Sequence, residues 1–237
     1  MKLEGKRALV TGGTEGIGWG IAEALGDRGA QVGVVGRDQQ KLRRAAEELG
    51  VHPLRGDVGV EKDAVRVVRE FVEQFGGIDV LVNNAGFGHF MPLLETDAAR
   101  FEEVFRTNVT GAMLMARECA RHFVQQRSGS IVNIGSTSGL YGGKNSTAYS
   151  GSKFALRGMT ECWRAELRPH DVRVTLVNPS EVQTPFFTKL GVEKPYSEKK
   201  LRAEDIAVAV VAALELDDRG FIPEFAVFAT NPWEPEG

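Results

Sequence analysis

Short apolar runs rich in Val, Ile and Leu alternate along the whole chain with longer amphipathic stretches. Ala8–Val10 predicts a strand. The segment from Gly16 to Arg28 predicts a helix, because Ile17, Ile21 and Leu25 recur at the spacing of one helical face. Gln31–Val35 predicts a second strand, followed by a charged helix from Asp38 to Leu49. Further strands are predicted at Val51–Leu54, Val80–Val82, Ile131–Ile134, Val172–Val177 and Phe225–Phe228. Helices are predicted at Glu61–Phe75, Ala98–Gln126, Tyr149–Arg168 and Ala203–Leu216. Several strands are apolar nearly throughout, as strands of a parallel sheet covered on both faces must be. Parallel neighbours need crossover connections, and here helices supply them. The alternation therefore predicts an α/β fold with a doubly wound parallel sheet.

No Pro- or Gly-rich linker and no internal repeat divides the chain, so residues 1–237 are expected to form a single domain. The one irregular stretch runs from Pro179 to Leu201 and follows the sixth predicted strand. Open α/β sheets bind ligands outside the carboxyl ends of their strands, so residues 179–201 are expected to act as a substrate lid.

Composition sharpens this picture by exclusion. With 42% apolar and 26% charged residues, the chain can bury a core without disulfides or metals, and no metal site is expected. Formal net charge is −3 and the charges are interspersed, which argues against nucleic-acid and membrane-surface partners. The start, MKLEGKRALVTGG, has no long apolar segment, and the longest helix-like apolar run, Ile206 to Leu214, is too short to cross a bilayer. Cys119 and Cys162 show no metal-ligand spacing and are expected to be reduced core residues. Cytoplasm is the expected compartment.

The first strand runs into Thr11-Gly12-Gly13-Thr14-Glu15-Gly16-Ile17-Gly18, which leads straight into a helix. A backbone that turns sharply and approaches a pyrophosphate cannot carry Cβ atoms, and the helix start offers unpaired N–H groups to phosphate. The spacing Gly-x-x-x-Gly-x-Gly resembles that of the short-chain dehydrogenase/reductase family, in its compact single-domain branch. Other motifs of that family follow in order: Asn83-Asn84-Ala85-Gly86, Asn108, Ser136, Tyr149 with Lys153, and Asn178-Pro179 with Thr184. The resemblance spans residues 5 to 185. It implies a Rossmann-like fold, doubly wound around a mainly seven-stranded parallel sheet, and an oxidoreductase that moves hydride between a nicotinamide dinucleotide and a carbonyl or alcohol.

The chemistry of that reaction accounts for the catalytic set Asn108, Ser136, Tyr149 and Lys153. Hydride arriving at a carbonyl carbon puts negative charge on oxygen, so a proton must be delivered there. Tyr149 is the expected acid in reduction and base in oxidation, and a nearby ammonium is expected to lower its ordinary pKa of about 10. Lys153 supplies that charge and, by the resemblance, hydrogen-bonds the nicotinamide ribose. The Ser136 hydroxyl polarises the substrate oxygen. Asn108 resembles the family member that holds a water on the proton path from Lys153 to solvent. The pattern Tyr-x-x-x-Lys recurs at Tyr196 and Lys200, but no strand leads into that pair.

For the cofactor, the resemblance assigns the loop residues Gly12, Thr14, Glu15, Gly16, Ile17 and Gly18, the Asp57-Val58 pair beside adenine, and Asn84, Ala85 and Gly86. It also assigns Pro179, Val182 and Thr184, with Thr184 touching the carboxamide or a phosphate. Asn83 to Gly86 have a partly structural role. After the second strand, the family's acidic position falls on Gly36 and is followed by Arg37, whose guanidinium suits the 2′-phosphate of NADP. Glu15 and Asp38 argue the other way, so NADP is favoured and NAD stays open. Ser180 departs from the family's usual Pro-Gly.

Phe87 to Phe90, Leu140, Tyr141, Asn145, Glu181, Val182, Phe186 and Phe187 are candidate walls for a moderately apolar carbonyl or alcohol substrate. His89 is an expected solvated loop residue. Two other activities compete with a general carbonyl reductase or alcohol dehydrogenase. One is a 3-oxoacyl-acyl-carrier-protein reductase, which would need a basic docking surface such as Arg121, Arg127 and Arg157. The other is a non-catalytic dinucleotide sensor. Relatives assemble as homodimers or homotetramers, which sets the same expectation here, although the atypical tail from Phe228 questions the contact made by the last strand.

Overall fold

A computed structural model describes residues 1–188 and 195–232. Positions 189–194 of the expected lid, the tail from 233 on, and the side chain of Phe187 lie outside the described residues. Seven strands form one parallel sheet in the order β3-β2-β1-β4-β5-β6-β7. They are β1 (Arg7–Thr11), β2 (Gln31–Gly36), β3 (His52–Arg55), β4 (Val80–Asn83), β5 (Gly129–Ile134), β6 (Val172–Pro179) and β7 (Glu224–Val227). Helices α1 (Gly16–Asp27), α2 (Gln39–Leu49), α3 (Glu61–Phe75), α4 (Ala98–Phe105), α5 (Ala112–Gln126), α6 (Thr147–Leu167), α7 (Pro185–Thr188) and α8 (Ala203–Leu214) connect them.

The pleat of β1 explains why both faces of the sheet are covered. Ala8 and Val10 point into a core shared with Ile21 and Leu25 of α1, Leu42 of α2, and Ile206 and Val210 of α8. Leu9 points the opposite way, into a core with Val67 and Phe71 of α3 and Met115 and Phe123 of α5. Alternate residues of one apolar strand thus feed two cores. The chain runs outward from β1 toward β3, then restarts on the other side at β4, so the switch point lies between β1 and β4. The loops after these two strands face each other there.

The predicted helix Ala98–Gln126 is interrupted. Arg106–Gly111 forms a π-helical turn between α4 and α5. Two contacts fix it: the Asn108 amide bonds across to the Phe87 backbone, and Gly111 packs so tightly that a Cβ there would meet Val58 Cγ2 at 2.7 Å. Tertiary contacts of this kind leave no trace in hydrophobic periodicity. The predicted helix Ala203–Leu216 stops at Leu214.

Of the two cysteines, Cys119 is buried in the core as expected, whereas Cys162 is exposed. Thr160 is on the inward face of α6, and two further residues rotate the chain by ~200°, which carries Cys162 outward. Among the described residues, no helix is long and apolar enough to cross a membrane, and no group of His, Cys, Asp or Glu is placed to hold a metal ion.

Candidate active site

The glycine loop and the Asn84 segment meet because Thr11, at the end of β1, stitches them together. Its hydroxyl accepts from the N–H groups of Asn84 and Ala85, both at 3.0 Å, and donates to the Val82 carbonyl. The Asn84 amide returns the tie by donating to the Thr11 and Gly12 carbonyls at 3.0 and 3.1 Å. Gly12 and Gly16 both take left-handed backbone, with φ of 62° and 56°. A Cβ on Gly12 would lie 2.9 Å from Ala85 Cα, and one on Gly18 would lie 2.4 Å from Asn84 Nδ2. Glycine is therefore required at these positions for the two loops to touch.

A cleft of about 600 Å³ runs along this edge of the sheet. One end is walled by Arg37, Asp38, Lys41, Asp57 and Val58, past the ends of β2 and β3. Its middle passes Gly12, Thr14, Glu15, Gly16 and Ile17 and, opposite them, Asn84, Ala85 and Gly86. The far end holds Ser136, Tyr149, Lys153, Pro179 and Thr184. Gly18 packs behind the loop. Val182 is buried in the core and bridges to Leu201 instead of lining the cleft.

At the reactive end, three elements converge. Ser136 follows β5 and caps the short turn Thr137–Gly139, accepting from the Ser138 N–H at 3.1 Å. The Ser136 hydroxyl lies near enough to the Tyr149 phenol to pull its pKa downward. Tyr149 and Lys153 share one face of α6, and the Lys153 ammonium donates to the Ile134 carbonyl at 2.8 Å. Burial pulls the Lys153 pKa down to about 8. The sequence predicts that this ammonium lowers the Tyr149 pKa. In the structure burial is the larger influence and pushes the phenol up, while the Ser136 hydroxyl works against it. The Lys153 Nζ lies 5.7 Å from the Tyr149 ring centre.

Asn108 is buried but stands behind the cleft. Its amide accepts from the Phe87 N–H at 3.0 Å and donates to the Phe87 carbonyl at 2.9 Å and to the Ser152 hydroxyl at 3.0 Å. It joins the Phe87 loop to α6.

At the other end, the charges sort themselves. The Asp38 carboxylate caps α2, accepting from the Gln40 and Lys41 N–H groups, and these bonds hold it below the usual carboxylate range. Lys41 pairs with Glu15 at 2.7 Å. Arg37 stands at the rim, 65% exposed, with Asp57 at 3.7 Å. A Cβ on Gly36 would approach Thr14 Cγ2 to 2.9 Å, so a larger side chain there would have to displace Thr14. Lys41 escaped the sequence reading, although its place in the first turn after the Asp38 cap was a usable signal.

Aromatic rings from two loops close over the reactive end. Phe90 and Phe186 contact the Tyr149 ring with centre separations of 5.4 and 5.5 Å, and each other at 6.4 Å. Of the other candidate walls, Phe87 lines the cleft, Tyr141 is exposed, and Glu181 is exposed and paired with Lys200. The Asn145 carbonyl ties the two rim loops by accepting from the Met91 N–H at 2.9 Å. His89 is half-buried and does not line the cleft. The second Tyr-x-x-x-Lys pair lies on the surface, with Tyr196 66% exposed.

Comparison with known proteins agrees with this geometry. The family model for short chain dehydrogenases matches residues 6–194. The chain is 36% identical over 208 residues to a zerumbone synthase of Zingiber zerumbet, covering 85% of this chain and 78% of that one. It superposes with TM-score 0.90 on a 3-ketoacyl-(acyl-carrier-protein) reductase of Brucella melitensis complexed with NADH, at 29% identity over 96% of this chain and 98% of that one. A metagenomic short-chain oxidoreductase in complex with NADP superposes with TM-score 0.82 at 32% identity, with the same coverage of both chains. The seven-stranded parallel sheet, the convergence of Ser136, Tyr149 and Lys153, and these matches place the chain in the short-chain dehydrogenase/reductase family of oxidoreductases.

Proposed function

We propose that this oxidoreductase transfers hydride between NADP(H) and a ketone, aldehyde or secondary alcohol, with Tyr149 as the proton-transferring residue. The observation that carries the proposal is one continuous cleft with the Gly12–Gly16 cradle in its middle and Ser136, Tyr149 and Lys153 at one end. A cradle from which Cβ atoms are excluded, leading into the start of α1, fits a pyrophosphate. A bound nicotinamide dinucleotide supplies or accepts the hydride. Ser136 donates a hydrogen bond to the carbonyl oxygen, and Tyr149 delivers its hydroxyl proton there as negative charge develops. Lys153, fixed on the Ile134 carbonyl, stabilises the resulting phenolate. Asn108 acts from behind, where its π-helical turn departs from the α-helical hydrogen-bond pattern and offers a place for a water on the proton path. One sheet carries both the cradle and the reactive end, so we treat residues 1–237 as a single catalytic unit with 179–201 as its lid.

Two arrangements support NADP over NAD. Asp38 spends its carboxylate on the α2 cap, and Glu15 is paired with Lys41, so neither acid is presented alone at the ribose end. The exposed Arg37 guanidinium at the rim suits a doubly charged phosphate. The solved neighbours bind NADH in one case and NADP in the other, so NAD stays the alternative. Phe87, Phe90 and Phe186 support an apolar substrate.

A 3-oxoacyl-acyl-carrier-protein reductase is the second activity, favoured by the Brucella neighbour. Against it, Arg121, Arg127 and Arg157 are each engaged by a carboxylate, namely Glu118, Asp171 and Glu224. A sensor without turnover is disfavoured because Tyr149 and Lys153 are both in place. We further propose a cytoplasmic homodimer or homotetramer. The deciding experiment titrates the protein with NADPH and NADH, then follows a carbonyl panel at the nicotinamide absorbance. NADPH-preferring binding with turnover is expected. Binding of neither dinucleotide would end the proposal.

A further inference from the structure

One hydrogen-bonded chain behind the reactive end is used by none of the steps above. The Ser136 N–H donates to the Asn178 Oδ1 at 3.3 Å, and the Asn178 Nδ2 donates to the Glu224 Oε1 at 2.9 Å. Glu224 is also paired with Arg157 on α6 at 3.2 Å. The amide oxygen of Asn178 fits closely over the Gly135–Ser136 backbone, since a Cβ on Gly135 would lie 2.3 Å from it. Asn178 is buried at the end of β6, and Glu224 opens the neighbouring β7.

An amide has two chemically opposite ends, and only its oxygen can accept from the Ser136 N–H. An ionised carboxylate is acceptor-only, so Glu224 draws the NH₂ end of Asn178 toward itself and turns the oxygen toward Ser136. With an apolar side chain at 224, the buried NH₂ group loses its partner, and only the long 3.3 Å bond from the Ser136 N–H is left to hold the amide in place. We propose that Glu224 is a positioning residue for Ser136, acting through the orientation of the Asn178 amide. The inference rests on the reaction proposed above. A loop end set by this amide fixes where the Ser136 hydroxyl stands beside Tyr149 at the end of the cleft.

The test compares Glu224→Leu, Glu224→Gln and Arg157→Leu in the full-length protein. Glu224→Leu is expected to lower kcat ~10- to 100-fold, as misplacement of a reacting group by a fraction of an ångström does. Dinucleotide affinity, read by fluorescence titration, should stay within twofold. The pH midpoint for alcohol oxidation, governed by Tyr149 beside the Lys153 ammonium, should move upward, and the Ser136 amide should exchange hydrogen faster. Glu224→Gln, which can still present an oxygen to the Asn178 NH₂, should keep kcat within about threefold. Arg157→Leu removes only the ion pair and should keep kcat within twofold. If Glu224→Leu does not fold, Asn178→Asp supplies the same information. Its carboxylate faces Glu224 and should be as damaged, and adding Glu224→Gln should restore kcat by letting the new amide donate to it. Wild-type kcat and pH midpoint in Glu224→Leu, an equal loss in Arg157→Leu, or no rescue in the double variant would overturn the inference. Absence of carbonyl turnover in the wild-type protein would instead overturn the proposed reaction.

Discussion

The Lys153 ammonium donates to the Ile134 carbonyl at 2.8 Å, pinning the helix that carries Tyr149 to the strand that leads into Ser136. The lysine thereby ties together the elements that carry the two groups proposed to meet the substrate oxygen. Its charge is held in a buried site, and that has consequences for stability as well as for catalysis.

Removing the Tyr149 hydroxyl while keeping its ring tests the proton donor. Tyr149→Phe should preserve the contacts with Phe90 and Phe186 and bind dinucleotide as the wild type does. Its kcat should fall ~10²- to 10⁴-fold. Turnover near the wild-type value, measured at the nicotinamide absorbance, would remove Tyr149 from the mechanism.

Burial holds the Lys153 pKa at about 8 against an ordinary 10.5. Between these values the unfolded chain still binds the proton that the folded chain has released, so the stability of the fold rises with pH across that window. Below about 8 the lysine is charged in both states, and its burial then costs ~3 kcal/mol. The stability advantage of Lys153→Met over the wild type should therefore shrink by that order between pH 7 and 11, as measured by urea unfolding. A pH-independent difference would show that Lys153 keeps its ordinary pKa.

At the ribose end, Arg37→Ala should weaken NADPH binding ~10-fold or more, the loss of a charge-assisted phosphate contact, and change NADH binding less than twofold. Equal losses for both dinucleotides would assign Arg37 a role other than reading the 2′-phosphate.

The two phenylalanines lie over Gly88. A Cβ there would come within 2.5 Å of Phe90 Cε2 and 3.0 Å of Phe186 Cζ. Gly88→Ala should push both rings off Tyr149 and raise KM for apolar ketones ~2- to 10-fold, with NADPH affinity unchanged. An unchanged KM would place the substrate elsewhere.

Gly18 is a packing residue at the meeting of two loops, with Asn84 Nδ2 and the Gly12 carbonyl within 2.5 Å of any added Cβ. Gly18→Ala should destabilise the fold by ~3 kcal/mol, or separate the two loops and abolish dinucleotide binding. A full-stability, full-affinity variant would contradict the close approach.

By itself, the sequence determined the sheet and its helices, because strands buried on both faces are apolar throughout and amphipathic helices repeat at their own period. It also pointed to the candidate site, since Gly12 to Gly16, Ser136, Tyr149 and Lys153 sit at strand ends and a helix start, and the structure brings them to one cleft. Tertiary structure decided what periodicity does not encode. The π-helical turn at Asn108 arises from bonds to Phe87, distant in sequence. The exposure of Cys162 depends on which face of α6 meets the sheet. Whether Tyr149 is pushed up or drawn down is a contest between burial and neighbours, and only assembled surroundings set its outcome. Lys41, Phe90 in contact with Tyr149, and the Arg157–Glu224–Asn178 chain behind Ser136 belong to the same class. Each joins residues from separate elements, and local sequence carries no record of which separate elements will touch.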